Sequence, residues 1–195
     1  GDHVDARVAV GREMYARYLG RRPEVDRDVW ASERRTGNHN RAIAYLMLDR
    51  GIVEDRVEET LDLYFAQCSV LVTAQDLAVI GATIANHGLH PDTGERVVAE
   101  RVTRAMLTVA FTCGMYDYAG EWAFTVGIPA KSGVGGGILG ILPDVGGIAT
   151  FSPRLDSHGN SVRGVRVFEE LSSTFDMHVF DRPRWRMPAS AADTD

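Results

Sequence analysis

The chain has 195 residues, a mass of 21.4 kDa, 45% hydrophobic and 25% charged residues, and a net charge of −6. These values indicate one medium globular domain or a part of a larger one. The acidic balance argues against a nucleic-acid partner, which needs clustered Lys and Arg. The longest uncharged stretches fall well short of the roughly 20 apolar residues of a membrane span, so no membrane partner is expected.

The first half of the chain is predicted to be helical. Apolar residues with a period near 3.6 favour an amphipathic helix over residues 4–19. A short segment, 29–33, leads into a turn-like cluster at 36–40. Two more helices are predicted, over residues 42–48 and 53–67.

Thr73 and Asp76 form a pattern like a capping box, with Asp in place of the usual Glu or Gln. It predicts a helix from about residue 74 to 87 that stops at Gly88. A turn at 90–94 and a helix over 97–112 follow.

The texture changes after Gly114. Three short apolar runs, 122–128, 138–142 and 148–151, predict a three-stranded antiparallel meander. A last helix is predicted over 160–175, and the tail 181–195 is predicted to be disordered. One helix covers only one face of such a sheet, so helices from the first half could cover the other face, and an edge stays open.

Several residue groups could carry chemistry. Lys131 is the only lysine of the chain and precedes Ser132 and Gly133. A lysine beside a serine at the end of a strand can hold an anionic substrate or tune a nucleophile, and a surface turn is the alternative. Residues 135–140 match G-x-G-x-x-G formally, but no helix is predicted after them, which favours a tight turn or a close backbone approach.

The histidines and cysteines give weaker signals. His87 and His90 lie in a turn without accompanying acidic or cysteine ligands, so no metal site is predicted. Cys68 and Cys113 lie in apolar contexts and are predicted to be buried structural thiols, compatible with a reducing, cytoplasmic setting. Considered alone, Tyr64 and Tyr116 fit packed aromatics, and Glu33 and Asn40 fit a surface acid and a loop amide.

Taken together, these positions resemble the bacterial-type glutaminase family in order and spacing, from about residue 12 to 180. The segments that carry the resemblance are SERRTGNHNRA (32–42), LDLYFAQCS (61–69), TAQDLAV (73–79), CGMYD (113–117), GIPAKSGVGGGI (127–138) and NSVRGV (160–165), the last followed by EELS.

The resemblance implies an α/β (α+β) fold like that of the serine β-lactamases and penicillin-binding proteins. We expect a mainly helical region (1–114), a sheet region with a C-terminal helix (115–180) and the tail (181–195). The family's nucleophile is the Ser of a Ser-x-x-Lys motif, and this chain has none, because Ile128 stands three residues before Lys131. The chain therefore resembles the C-terminal two-thirds or so of the enzyme, without its N-terminal part, and also lacks an initiator Met.

The resemblance also implies roles for individual residues. Catalytic roles fall to Tyr116, beside the nucleophile as a hydrogen-bond partner or proton relay, and to Lys131 and Ser132, which match the Lys-Thr-Gly strand signature of the fold's relatives. Substrate contacts fall to Glu33, suited to the α-amino group of glutamine, and to Asn40, Tyr64 and Tyr116. The backbone N–H of Val134 would serve an oxyanion hole.

The expected function is hydrolysis of L-glutamine to L-glutamate and ammonia through a serine acyl-enzyme, with no cofactor and no metal, by a cytoplasmic homo-oligomer. The chain alone is expected to be inactive. Two alternatives stay open: a β-lactamase-like hydrolase of another substrate, and an inert fragment that binds glutamine or assembles with a partner.

Overall fold

The structure is a computed structural model that describes residues 2–181. Three strands, β1 (Ala130–Ser132), β2 (Gly137–Leu142) and β3 (Gly146–Phe151), form an antiparallel sheet in that order. A 3₁₀ turn spans Tyr116–Tyr118. The α-helices of the described residues are α1 (Asp2–Leu19), α2 (Arg27–Thr36), α3 (Asn38–Asp49), α4 (Val57–Cys68), α5 (Ala74–Ala85), α6 (Glu100–Cys113), α7 (Ala119–Thr125) and α8 (Val162–Phe175). None of these helices is both long enough and apolar enough to cross a bilayer.

Helices cover both faces of the sheet. Ile138 of β2 belongs to a buried cluster with Trp122 of α7 and Phe168 of α8. The next residue, Leu139, points the other way and packs near Ile84 of α5, as the alternation of a strand requires. The expectation that a helix of the first half covers the second face is therefore confirmed, and that helix is α5.

The helices that precede α5 have a core of their own. Trp30 of α2 packs with Leu61 and Phe65 of α4, and its indole Nε1–H donates to Asp62 Oδ1 at 2.9 Å. Two helix starts are capped by side chains. Asp26 accepts from the N–H groups of residues 28 and 29 at the start of α2, and Thr73 with Asp76 makes the complete capping box predicted for α5.

The prediction of a strand over residues 122–128 is wrong. Residues 119–125 form α7, and the first strand is Ala130–Ser132. Trp122 and Val126 are four residues apart and both are buried in the same cluster, so the apparent alternation was one face of a helix. The Trp122 indole donates to the Ile128 carbonyl at 2.7 Å, which places the segment after α7 against that helix.

The turn predicted at 36–40 is shorter than expected. Gly37 alone separates α2 from α3. Its N–H donates to the Glu33 carbonyl at 2.8 Å, and its carbonyl accepts from the Arg41 N–H at 3.1 Å. Helical hydrogen bonding therefore continues through the glycine, and the two helices follow each other directly.

The prediction that both cysteines are buried is also wrong. Cys68 and Cys113 are free and exposed. Each is the last residue of its helix, where apolar sequence neighbours such as Phe65 turn to the core and leave the cysteine outside. The predicted tail lies outside the described residues from 182 onward.

Candidate active site

The site begins where the chain leaves α6 and meets β1. The Ser132 N–H donates to the Gly114 carbonyl at 3.0 Å. A Cβ atom at position 114 would lie 1.7 Å from the Ala130 carbonyl oxygen, so only glycine permits this approach. The close contact brings the following residues, up to Tyr116, alongside the strand.

Tyr116 and Lys131 meet at one backbone carbonyl. The Tyr116 hydroxyl donates to the Ser132 oxygen at 3.2 Å, and Lys131 Nζ donates to the same oxygen. Lys131 Nζ also lies 4.6 Å from the centre of the Tyr116 ring, within cation–π range. The Tyr116 hydroxyl and the Lys131 ammonium group therefore lie side by side at the end of β1.

The alternation of β1 separates the two residues of the Lys-Ser pair. Lys131 is on the open side, whereas Ala130 and Ser132 are buried. Ser132 Oγ is buried and has no hydrogen-bond partner among the described residues. Ser132 therefore presents its backbone carbonyl to Tyr116, whereas its side-chain hydroxyl faces the interior.

Val134 lies in the turn that joins β1 to β2. The turn is closed by the Gly133 N–H, which donates to the Gly137 carbonyl at 2.9 Å. Val134 is 66% exposed, and its backbone N–H acts to lower the pKa of the Tyr116 hydroxyl, against the larger rise caused by burial. The N–H expected to serve an oxyanion hole is thus beside the phenol oxygen, at the open edge of the site.

The helices contribute a second set of groups. Tyr64 and Cys68 are one helical turn apart on α4, and their side chains affect each other's pKa: Cys68 raises that of Tyr64, and Tyr64 acts to lower that of Cys68. Glu33 of α2 raises the pKa of both through its charge, a smaller effect than burial. Cys68 also lies close enough to Tyr116 and Lys131 for its ionised form to raise the pKa of both, so the helix side and the sheet side form one cluster.

Burial sets the proton affinities of the cluster. It raises the pKa of Tyr64 to about 12, with a further contribution from Cys68. It also raises the pKa of Tyr116, so both phenols stay protonated at neutral pH. Partial burial lowers the pKa of Lys131, which makes its amine easier to deprotonate and better suited to proton transfer.

Asn40 is the predicted site residue for which the described part of the chain shows no bond to the cluster. It lies in the first turn of α3 and is half-buried, and within residues 2–181 its side chain makes no hydrogen bond to the cluster around Lys131. The structure brings together Glu33, Tyr64, Tyr116, Lys131, Ser132 and Val134.

Sequence reasoning missed Cys68 as a member of this cluster. Its spacing of four from Tyr64 on a predicted helix was the available signal. It also missed the turn around His158 and Asn160, whose link to residues 115 and 117 spans more than 40 positions of sequence.

The glycine-rich run forms the β1–β2 turn and strand β2, with no helix after it. A Cβ at Gly140 would lie 2.4 Å from the Phe168 ring, so the expected close approach is confirmed. Across residues 2–181, no three His, Cys, Asp or Glu side chains converge as metal ligands would.

Comparison with known proteins gives the family. The model of the family described as Glutaminase matches residues 1–180. The chain belongs to the glutaminase family. It is 56% identical over 169 residues to a glutaminase of Nostoc sp. (strain PCC 7120), which covers 87% of this chain and 51% of that protein. It is 51% identical over 181 residues to a glutaminase of Microcystis aeruginosa, covering 93% of this chain and 54% of the relative.

Solved glutaminase structures share the fold. The structure of Mglu in its glutamate form matches with a TM-score of 0.87 at 45% identity, over 93% of this chain and 42% of that one. The Bacillus subtilis glutaminase YbgJ, in covalent complex with 5-oxo-L-norleucine, matches with a TM-score of 0.82 at 35% identity, over 87% of this chain and 60% of that one. The expected β-lactamase-like fold is thereby confirmed. The chain spans about half the length of these curated relatives.

Proposed function

We propose that this glutaminase-family chain forms the proton-transfer and substrate-recognition part of an enzyme that hydrolyses L-glutamine to L-glutamate and ammonia. The observation that carries the proposal is the convergence of the Tyr116 hydroxyl, Lys131 Nζ and the Val134 N–H around the end of β1. The YbgJ complex supports it, because its reagent, 6-diazo-5-oxo-L-norleucine, carries the amino-acid end of glutamine. A covalent adduct of this kind needs a protein nucleophile.

The nucleophile of the proposed reaction is a serine from a Ser-x-x-Lys motif, which these 195 residues do not contain. Its Oγ attacks the carboxamide carbon of glutamine and forms a tetrahedral oxyanion. The Val134 N–H stabilises that oxyanion, and one such donor contributes about 3–4 kcal/mol. Tyr116 and Lys131 relay the serine proton to the departing ammonia, and water then cleaves the acyl ester to release glutamate.

The helix side is proposed to recognise the amino-acid end of glutamine. Glu33 would accept hydrogen bonds from the α-ammonium group, because a carboxylate is the acceptor that pairs best with a cation. Tyr64 stays protonated, since burial raises its pKa to about 12, so its hydroxyl can donate to the substrate carboxylate. Asn40 would add amide hydrogen bonds from α3. We also propose, on the resemblance alone, a cytoplasmic homo-oligomer.

A chimera tests the proposal. The chain replaces the matching segment of the Nostoc glutaminase, and glutamate release from L-glutamine is measured for the chimera, for the chain alone and for a heat-killed control. We expect activity in the chimera and none in the chain alone, because the chain has no Ser-x-x-Lys. Mass spectrometry should find a 6-diazo-5-oxo-L-norleucine adduct on the chimera only, at a residue outside this chain.

The same assay separates the alternatives. Glutamate release by the chain alone would contradict the assignment of the nucleophile. A folded chimera that hydrolyses other amides or β-lactams but not glutamine would favour a β-lactamase-like hydrolase. Binding of glutamine by the chain, with a chimera that stays inactive, would favour a binding fragment.

A further inference from the structure

One surface turn lies against Tyr116. The turn spans residues 155–161 and is closed by an isolated bridge between Leu155 and Ser161. Its shape is fixed by Asp156, whose Oδ1 accepts the N–H groups of His158 and Asn160 at 2.9 Å each. Gly159 lies against the Tyr116 ring, since a Cβ built there would be 3.8 Å from Cε2 of that ring.

This turn holds the residues on both sides of Tyr116. His158 Nδ1 lies 2.9 Å from Asp117 Oδ1, and because a carboxylate only accepts, the imidazole donates. Asn160 Nδ2 donates to the Met115 carbonyl at 3.4 Å. The preceding and the following residue of Tyr116 are thus bonded to side chains two positions apart in one turn.

Tyr116 needs such support because of its backbone. Its φ is +58°, in the left-handed region that a bulky residue rarely adopts. Strained conformations of this kind persist where the surrounding structure over-determines them, and they concentrate at functional sites. The 3₁₀ turn has no side-chain cap at its start, so the restraint must come from elsewhere.

We propose that His158 and Asn160 are positioning residues that hold Tyr116 in its left-handed conformation, with its hydroxyl aimed at the end of β1. The inference rests on the proposed function for its effect on turnover. Asn160 bonds to the residue before Tyr116, and His158 bonds to the residue after it. Asn160 is fully buried, whereas His158 is at the surface, where its ring also packs 5.3 Å from the Tyr118 ring.

The surface position makes His158 the residue to test. His158→Phe in the chimera keeps a ring against Tyr118 and removes the hydrogen bond to Asp117. We expect kcat to fall about tenfold or more with KM within about twofold, because small displacements of a catalytic group are costly. Asp117→Asn keeps an acceptor for the imidazole and should retain most of kcat. His158→Phe and Asp117→Ala together should cost no more than the larger single loss.

His87→Phe is the matched control. His87 is also an exposed histidine bonded to an aspartate, with Nε2 2.8 Å from Asp144 Oδ1, but Asp144 lies in the turn at the other end of β2. We expect its kcat and KM to equal those of the unsubstituted chimera. An equal loss of kcat in His87→Phe and His158→Phe would show a general stability effect and overturn the proposal.

The pH profile gives a readout that a merely structural role would not move. The hydrogen bond to Asp117 raises the pKa of His158, and the charges of Asp117, Asp156 and Glu121 add to it. The pairing with Asp117 is strongest with the imidazole protonated and weakens as the pH rises through that raised pKa. The kcat profile of the chimera should show this descent above pH 6.5, and the profile of His158→Phe should lack it.

A last measurement needs no activity. In the chimera labelled with ¹³C-tyrosine, the Tyr116 signal, assigned with Tyr116→Phe, should shift in His158→Phe and stay in place in His87→Phe. An unmoved Tyr116 signal in His158→Phe would overturn the inference even if the chimera is active. A chimera without activity would overturn the proposed function, and the Tyr116 signal would still decide the positioning role.

Discussion

The two sides of the candidate site are built differently. On the sheet side, Tyr116 and Lys131 hydrogen-bond to one backbone carbonyl at the end of β1, and the Val134 N–H affects the pKa of the same Tyr116 hydroxyl. On the helix side, no side-chain hydrogen bond holds Tyr64 or Glu33 among the described residues, and the two affect the cluster through pKa shifts, Glu33 by its charge. The groups proposed to move protons are thus held by hydrogen bonds to the backbone, and the groups proposed to recognise substrate lie on helix faces.

The difference has a physical reason. Proton transfer depends on heavy-atom distances of about 2.6–3.2 Å, so its donors must be held before substrate arrives. Recognition groups need unused hydrogen-bonding capacity, because a carboxylate already paired with the protein would have to exchange that partner for the ligand. Fixed and free groups should therefore respond differently to mutation.

The largest effect is expected on the sheet side. In the chimera, Tyr116→Phe and Lys131→Ala should each lower kcat by about 10²–10⁴-fold, because each removes a positioned proton-transfer group. The melting temperature should change little, since Lys131 is exposed and Phe keeps the ring. Tyr45→Phe is the control, because within residues 2–181 its hydroxyl bonds to Glu58 alone, at 3.3 Å on the surface. A folded variant with near-parental kcat would contradict the assignment.

A smaller effect of another kind is expected on the helix side. Glu33→Gln should raise KM by about 10–100-fold with kcat nearly kept, since it weakens a charge-assisted hydrogen bond of about 1.5–3 kcal/mol. Asn40→Ala and Tyr64→Phe should raise KM less. Glu59→Gln, an exposed acid of α4, should leave KM unchanged. A loss of kcat at constant KM in Glu33→Gln would contradict the recognition role and assign the Glu33 carboxylate to proton transfer.

The sequence predicted the long periodic elements well. The helices over α1, α5, α6 and α8 were recognised because ten or more residues repeat one period, and β2 because turn residues bound it. Strand β1 was missed because it has only three residues, and the neighbouring Trp122 and Val126 imitate a strand. The structure of such a short segment depends on its tertiary contacts, which the local sequence pattern does not show.

The candidate site shows the same division. Resemblance located Glu33, Tyr64, Tyr116 and Lys131, whereas their geometry depends on contacts between distant positions. The side of the sheet on which the Ser132 hydroxyl lies follows from the register of β1 with β2. The hydrogen bond between His158 and Asp117 joins residues 41 positions apart in the sequence. Such contacts arise only when α6, β1 and the turn before α8 are packed together.

The sheet side has one further weakness, which is its edge. Among the described residues β3 pairs only with β2, and an unpaired edge recruits other strands. We expect the isolated chain to self-associate or to be marginally stable, with the strands of Ile138 and Ile148 in contact. The remaining half of the Nostoc glutaminase, added in trans, should convert it into a discrete, better-folded species.

Light scattering and hydrogen exchange check this expectation. Phe151→Lys, which adds a charge at the exposed end of β3, should reduce association, and Phe124→Lys on α7 should not, although Phe124 is 86% exposed and Phe151 67%. A stable monomer with slow exchange across all three strands would show that the edge needs no partner.

The smallest effect concerns α5, which lies in the helical first half of the sequence but packs against the sheet. Asp76 accepts the Thr73 N–H at 2.8 Å and pairs with Arg21 of the segment after α1. Asp76→Ala should lower the free energy of unfolding by about 1 kcal/mol, the usual contribution of a helix cap. Turnover of the chimera should be unchanged, because α5 covers the sheet and supplies no group to the site.

The pH dependence of that loss identifies the cap as its cause. Burial acts to raise the pKa of Asp76, but the hydrogen bonds from Thr73 and Arg21 outweigh it and lower the pKa overall. A carboxyl with a lowered pKa stabilises the fold above its unfolded pKa of about 3.9 and loses that contribution as the pH falls through the folded value. The difference in free energy of unfolding between the chimera and its Asp76→Ala variant, measured with urea, should therefore be constant from pH 6 to 8 and shrink below pH 4. Asp92→Ala, which removes an exposed acid in a turn, is the control and should leave the free energy of unfolding unchanged in both pH ranges. A loss of stability in Asp76→Ala that persists at pH 3 would assign the effect to packing.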